Sequence, residues 1–450
     1  MPVRVKGVWN DSRTIRKDYL YAAVKGERFD GHRFVHDALS RGASGAIVSE
    51  IPRDAESGVG ALLLVDDTRK ALMDMAAGYR IKVDPLMIGI TGSAGKSSVK
   101  ELIAGIFSVV GSTACTLGNW NNMVGMPLSI LEMDNDTRAG VYEVGTSAPG
   151  EIAELCRVLK PFVGVITNIG PAHLQGLGSV EGVAREKSGL LSVLPDDGSA
   201  VVYSGSECGD ILRSACACRY VSAGWNREDD YRIVPGKSGG SFILEEKSTG
   251  GTCRMTAPSP GKHNMVNAAL AAAAARTEGM EWNDILTGLA KSSAMPMRWE
   301  EKTLLLGGSR EVLVVNDAYN ANPLSMKAAI DAFAEKTATG GKWLVLGDML
   351  ELGGCAGEEH RKIGQFAAKR MSGQSGSFGI LGVGKFGKTI VDAASDIRPV
   401  CRISECENAV EAADFLRDRV CHGDAILLKA SRLVGLEKII TLLEENNESR

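Results

Sequence analysis

Residues 92–98, GSAGKSS, restrict what this chain can become more than any other stretch. They follow a short apolar run, Leu86–Thr91, whose composition predicts a buried strand. They precede Val99, Leu102, Ile103, Ile106, Phe107 and Val110, which fall at steps of 3, 1, 3, 1 and 3 and predict one apolar face of a helix. A strand, a turn of small residues and a helix are the setting of a phosphate-binding loop. In that setting the N–H groups around Gly92, Ser93, Ala94 and Gly95 turn toward phosphate oxygens, and the helix N-terminus adds a positive dipole. Lys96 then reaches the β- and γ-phosphates, the Ser97 hydroxyl ligates Mg²⁺, and Ser98 follows on the first turn. Ile90 stands where the longer form of this pattern has its first glycine, so the loop is a short GxxGKS version. ATP and Mg²⁺ are the expected cofactors. The competing reading is an ordinary glycine-rich turn with a solvent lysine.

Composition narrows the class. At ~150 residues per domain, 450 residues correspond to about three domains. The 51 basic residues are outnumbered by 55 acidic ones, for a net of −4, so no nucleic-acid partner is expected. No run approaches 18 consecutive apolar residues, so no membrane span is expected. The opening MPVRVKGVWNDSR lacks the apolar core of an export signal, and a cytoplasmic location is expected. The ten cysteines form no CxxC pair and are expected to be reduced thiols, many of them buried. Glycine is high, 53 residues or about 12% against a usual ~7%, and sits between apolar runs as turn residues.

Further strands are predicted at 140–144, 163–168, 200–203, 241–244, 311–315, 343–347, 378–383 and 425–428, with helices between many of them. Alternation of this kind implies parallel sheets. The alanine-rich stretch 267–275 is predicted as a packed helix, because alanine is the best helix former. The expected fold is α/β in three domains. These are a small N-terminal α/β domain (1–83), a central P-loop ATPase domain with a mostly parallel sheet (84–295), and a C-terminal Rossmann-like α/β domain (296–450). The second joint is placed near residues 292–296.

Three residues outside the loop carry chemistry only in combination. Glu143 ends the predicted strand VYEVG, and ligands of open α/β sheets bind beyond the carboxyl ends of strands. A carboxylate there can hold Mg²⁺. Taken alone it is equally an ordinary strand-end acid. His173, in TNIGPAH, and Lys187, 14 residues later, read by themselves as a loop histidine and a surface lysine.

Together these segments resemble a known family. TGSAGKSS, GNWNN at 118–122, TNIGPAH and the His173-to-Lys187 spacing are similar to the Mur ligases, ATP-dependent amide-forming enzymes of peptidoglycan precursor synthesis. The resemblance continues in DSR at 11–13, FDGH at 29–32 and KHNMVNA at 262–268. NDAYNANPLSM at 316–326, LGDMLELG at 346–353 and LLKASR at 427–432 resemble the branch that joins D-alanyl-D-alanine to a UDP-N-acetylmuramoyl-tripeptide.

The resemblance implies roles. Lys96 and Ser97 hold the ATP phosphates and Mg²⁺, and Glu143 and His173 are metal ligands. Lys187 is the lysine that several members carry as a carbamate. An ammonium there would repel the cations, whereas a carbamate would be an anionic ligand. Asn264 and Asn267 lie near adenine, and Arg298 and Asp317 come from the third domain to close over the nucleotide. Asn121, Asn122, Tyr319, Asn320 and Asn322 are placed at substrate or nucleotide, and Ser12 and Arg13 at the UDP end. A monomer is expected. Met123, Thr146, Ser147, Gln175 and Ala430 depart from the family pattern, none of them in the phosphate loop. A sister ligase adding a single amino acid, or a nucleotide switch without ligation, are the alternative readings.

Overall fold

A computed structural model describes residues 5–445 except 27–28, 53–59, 238–239, 293–294, 374–376 and 398–401. Cys401 and part of the expected joint at 292–296 therefore lie outside the described residues. Three sheets follow one another along the chain.

The first sheet is parallel, in the order Gly7–Trp9, Tyr19–Ala22, Gly45–Val48, Ala61–Leu64. The helix Thr68–Val83 follows it. Asp67 starts this helix by accepting the Arg69 and Lys70 amides, at 2.7 and 3.0 Å. Its end coincides with the expected joint at 83/84, yet Met73 and Ala76 pack among Met126, Ile130, Tyr142 and Ile152 of the next unit. The helix thus belongs to both cores.

The central sheet has nine strands. Leu86–Thr91 lies between Val163–Ile166 and Ala139–Glu143, and all three run parallel. Ser199–Tyr203, Arg219–Gly224 and Tyr231–Pro235 continue the parallel run, and only Ser241–Glu246 runs against it, pairing antiparallel with both Tyr231–Pro235 and Gly251–Thr256. Against one face pack the helices Lys96–Phe107 and Lys262–Thr277. Ala268, Ala269 and Ala271 to Ala275 are completely buried, and their small side chains let the second helix lie close to strands and helix alike. Each Ile, Leu or Val buried in this layer contributes about 1.5–3 kcal/mol.

The face predicted for the helix after the phosphate loop holds through Phe107, where the helix stops. Val110 was expected on that face but is 60% exposed. The amides of Val109 and Val110 bond three residues back, to Ile106 and Phe107, and this tighter turn before Gly111 rotates Val110 out to solvent.

The third sheet runs Glu300–Leu306, Arg310–Asn316, Ala425–Lys429, Lys342–Gly347, Phe378–Val383, Ile403–Cys406, parallel but for its first strand. The described cysteines are free thiols, but only Cys156, Cys253 and Cys406 are buried, fewer than expected. No helix among the described residues is long and apolar enough to cross a membrane.

Candidate active site

The phosphate loop is shaped by the strand end beside it. Gly92 has φ 151°, and a Cβ there would lie 1.9 Å from Thr167 Oγ1. Gly95 has φ 82°, with Asn267 Oδ1 2.7 Å from where a Cβ would stand. These two positions accept only glycine. The Ser93 amide donates to the Asn168 carbonyl at 3.0 Å, and the Ala94 amide to Asn168 Oδ1 at 2.9 Å. Thr167 Oγ1 and Asn168 Nδ2 both donate to the Ala94 carbonyl, at 2.5 and 3.0 Å. Lys96 Nζ folds back over the loop onto the Gly92 carbonyl at 2.8 Å. Burial lowers its pKa, and the Glu143 charge opposes that shift.

A cavity of about 200 Å³ opens over the loop. Lys96, Ser97, Asn121, Glu143, His173 and Arg298 line it, together with Tyr319, Asn320 and Asn322. Glu143 is 1% exposed. Its Oε2 accepts from Asn121 Nδ2 at 3.3 Å, while Oε1 is buried without a partner. An unpartnered buried carboxylate oxygen is costly unless a cation completes it. The Ser97 hydroxyl, Glu143 and His173 all line this cavity and are oxygen and imidazole donors that divalent cations take, so these residues fit the implied Mg²⁺.

His173 sits at φ 53°, and its Nδ1 lies 2.5 Å from Glu351 Oε2, a residue of the third unit. The His173 bond holds the Glu351 carboxyl below its usual range against the opposing effect of burial. Lys187 is completely buried in the helix Val180–Ser188 and lines none of the three cavities. Its Nζ has no hydrogen-bond partner. Burial first, and then the charge of Lys96, drive its pKa well below the ordinary value, which favours the neutral amine.

The third sheet reaches across to the loop. Arg298 Nη2 donates to Ser97 Oγ at 2.8 Å, and its guanidinium lies 4.3 Å from the Tyr319 ring centroid. Asn322 Nδ2 donates to the Ser93 carbonyl at 2.9 Å. The same Asn322 caps the helix Pro323–Glu335, accepting the Ser325 amide, so the helix start fixes where it points.

A larger cavity, about 670 Å³, lies between the second and third sheets. Gly95, Ser98, Asn264, Asn267, Arg298 and Asp317 line it, with Tyr203 and Trp225 supplying aromatic walls. Asp317 pairs with Lys429 Nζ at 2.8 Å and accepts the Trp299 amide at 3.3 Å. His263, also on this wall, is pushed down to about 4 by burial.

A third cavity, about 730 Å³, joins the first unit to the second. Ser12, Arg13, Phe29, Phe34, Trp120 and Asn122 line it. Arg13 is held by Asp11 through Nε and Nη2, at 2.9 and 2.7 Å. The neighbours Asn121 and Asn122 thus face different cavities, one toward the phosphate loop and one toward the first unit.

Three site residues were not assigned from sequence. Lys429, in LLKASR, borders both the 200 and 670 Å³ cavities. Glu351, in LGDMLELG, meets His173, and Asn168, in TNIGPAH, props the phosphate loop. Their motifs were visible, but partners so distant in sequence were not.

Comparisons with known proteins cover the whole chain. Three family models match in order: Mur ligase family, catalytic domain, at residues 4–80; Mur ligase middle domain, at 90–275; and Mur ligase, glutamate ligase domain, at 298–432. The UDP-N-acetylmuramoyl-tripeptide–D-alanyl-D-alanine ligase of Bacillus subtilis (strain 168) is 35% identical over 446 residues, covering 98% of this chain and 94% of the relative. The ligase of the same name from Escherichia coli (strain K12) is 33% identical, with coverages of 99% and 95%. A crystal structure of MurF from Acinetobacter baumannii superposes with a TM-score of 0.86 at 29% identity, over 97% of this chain and 93% of that one. The MurF ligase of Thermotoga maritima in complex with ADP gives 0.81 at 27% identity, over 100% and 99%.

Proposed function

This chain belongs to the Mur ligase family, and we propose on that premise how its three cavities carry out the reaction. It is an ATP-dependent ligase that joins D-alanyl-D-alanine to UDP-N-acetylmuramoyl-tripeptide in peptidoglycan synthesis. The observation that carries the assignment is agreement along the full chain with ligases of that one specificity, together with a complete phosphate-loop site.

The 730 Å³ cavity takes the UDP end, with Ser12 and Arg13 at the diphosphate or uridine and the Phe29, Phe34 and Trp120 rings as apolar walls. The 670 Å³ cavity takes ATP, with Asn264 and Asn267 toward adenine, Trp225 and Tyr203 as aromatic walls, and Asp317 toward the ribose. The phosphates then enter the 200 Å³ cavity. The tripeptide would run from the first of these cavities toward the last past Asn121, which faces the phosphate side.

The chemistry begins with two anions. A carboxylate oxygen of the tripeptide attacks the γ-phosphorus of ATP, forming an acyl phosphate and releasing ADP. Two unit charges 4 Å apart repel by about 1 kcal/mol in water, but about 4 kcal/mol at an effective dielectric of ~20. Lys96 and Arg298 bring positive charge to the transferring phosphoryl group. Mg²⁺ at Ser97 with the nucleotide, and a second divalent cation held by Glu143 and His173, would supply further neutralisation of phosphate and carboxylate charge when bound. The amine of D-alanyl-D-alanine then attacks the acyl carbon, the C–N bond forms, the C–O bond to phosphate breaks, and a proton leaves the amine. Tyr319 and Asn320 stand on the wall where the dipeptide would approach. Docking of the third unit keeps water from the acyl phosphate.

The buried Lys187 amine, once it has lost its proton, can add CO₂ to form a carbamate, and its unpartnered Nζ and lowered pKa support that reading. The carbamate would be an anion beside the cationic Lys96. The reading keeps a cytoplasmic monomer with domains divided near 83/84 and 295/296. Phosphate release measured with the UDP-tripeptide, ATP and D-alanyl-D-alanine, against single amino acids, tests the specificity. Release should require the dipeptide; equal rates with a single amino acid would reassign the chain to a sister ligase.

A further inference from the structure

The loop after the strand Lys342–Gly347 docks on the loop after the strand Val163–Ile166. Four observations define the contact. The His173 ring meets the Glu351 carboxylate at 2.5 Å through Nδ1. The Gln175 amide donates to the Glu351 carbonyl at 3.3 Å. A Cβ on Gly353 would stand 3.2 Å from Gln175 Cα, so the two backbones nearly touch. Leu174 packs against the core of the third unit, which includes Leu352. Glu351 itself is held at φ 63°, a conformation that residues other than glycine rarely adopt. The docked contact sustains it.

A histidine that ligates a metal through one ring nitrogen characteristically donates its other N–H to a carboxylate or carbonyl. That bond fixes the tautomer and raises the basicity of the free nitrogen. With Nδ1 in close contact with the Glu351 carboxylate, His173 is left with Nε2 as the nitrogen free to ligate, and the ring borders the phosphate-loop cavity. The carboxylate comes from the C-terminal unit, the imidazole from the central one.

We propose that Glu351 is a positioning residue for the metal site: it orients His173 as a ligand and can do so only when the C-terminal domain is docked, so that docking completes the site. This rests on the reading of His173 as a metal ligand. Docking and cation binding are then reciprocal, each strengthening the other by the same factor.

The test uses Mn²⁺ as the probe, titrated by electron paramagnetic resonance into the full-length protein with the UDP-tripeptide and a non-hydrolysable ATP analogue. The nucleotide-associated Mn²⁺ should bind Glu351→Ala and wild type alike. The Mn²⁺ assigned to His173 should weaken about 10–100-fold in Glu351→Ala and by less in Glu351→Gln. His173→Ala should lose that ion. If His173→Ala loses it while both Glu351 variants bind it as wild type does, the role of Glu351 is overturned and the ligand reading stands. If His173→Ala binds both ions normally, the ligand reading itself fails. Glu351→Gln keeps the size of the side chain, so an unchanged thermal midpoint shows an intact loop. In that background wild-type affinity for the second ion contradicts the proposal.

Discussion

Arg298 of the C-terminal domain donates from Nη2 to the Ser97 hydroxyl of the phosphate loop, at 2.8 Å. The ring of Tyr319 backs the same guanidinium. This places a positive charge from the C-terminal domain against the Ser97 end of the phosphate loop. Arg298→Ala should lower kcat about a hundredfold or more, by loss of charge stabilisation at the transferring phosphoryl group. Arg298→Lys should recover little, since a lysine cannot both bond Ser97 and stack on Tyr319. Steady-state phosphate release checks this. A loss confined to KM for ATP would make Arg298 a binding residue only.

Gly92 is the tightest point of the loop. Gly92→Ala forces a methyl group onto Thr167 Oγ1 at a φ of 151°. Strain of about 2 kcal/mol would appear as roughly thirtyfold weaker nucleotide binding. Titration calorimetry with ADP measures it, and wild-type affinity would show that the loop relaxes without cost.

Lys187 makes a separate prediction. Lys187→Ala should be inactive, and short carboxylates should restore part of the activity by taking the place of the carbamate. Wild-type activity should fall in buffer stripped of CO₂ and return with bicarbonate. An Ala variant with full activity would remove the residue from the mechanism.

His263 ties stability to pH. Its folded pKa is depressed to about 4 by burial, against an unfolded value near 6.5. Between those values the unfolded chain binds the extra proton. Stability is therefore complete above about pH 6.5 and is lost as pH falls toward 4, with a slope of at most about 1.4 kcal/mol per pH unit from this group. Urea unfolding of the ligand-free protein at pH 7, 6 and 5 should show the decline, and His263→Gln should flatten it. Equal slopes in both proteins would place the acid sensitivity elsewhere.

What the sequence disclosed was local. Residues 86–107 spell out strand, loop and helix, because periodicity and glycine spacing act over a few residues. The strand that ends in Glu143 and the loop that carries His173 were visible for the same reason. Val110 was misplaced because a tight last turn overrides an apolar period that continues on paper. Lys429 and Glu351 went unassigned because their partners, Asp317 and His173, meet them only after the sheets assemble. The division of labour between Asn121 and Asn122 depends on a loop whose direction no periodicity records.

The central claim is that the tripeptide carboxylate is phosphorylated before the amine attacks it. The most direct measurement labels that carboxylate with ¹⁸O and analyses the released phosphate by mass spectrometry after turnover with ATP and D-alanyl-D-alanine. The mechanism predicts one ¹⁸O transferred to phosphate per amide formed from a fully labelled carboxylate. Phosphate free of ¹⁸O, with amide product present, would contradict it.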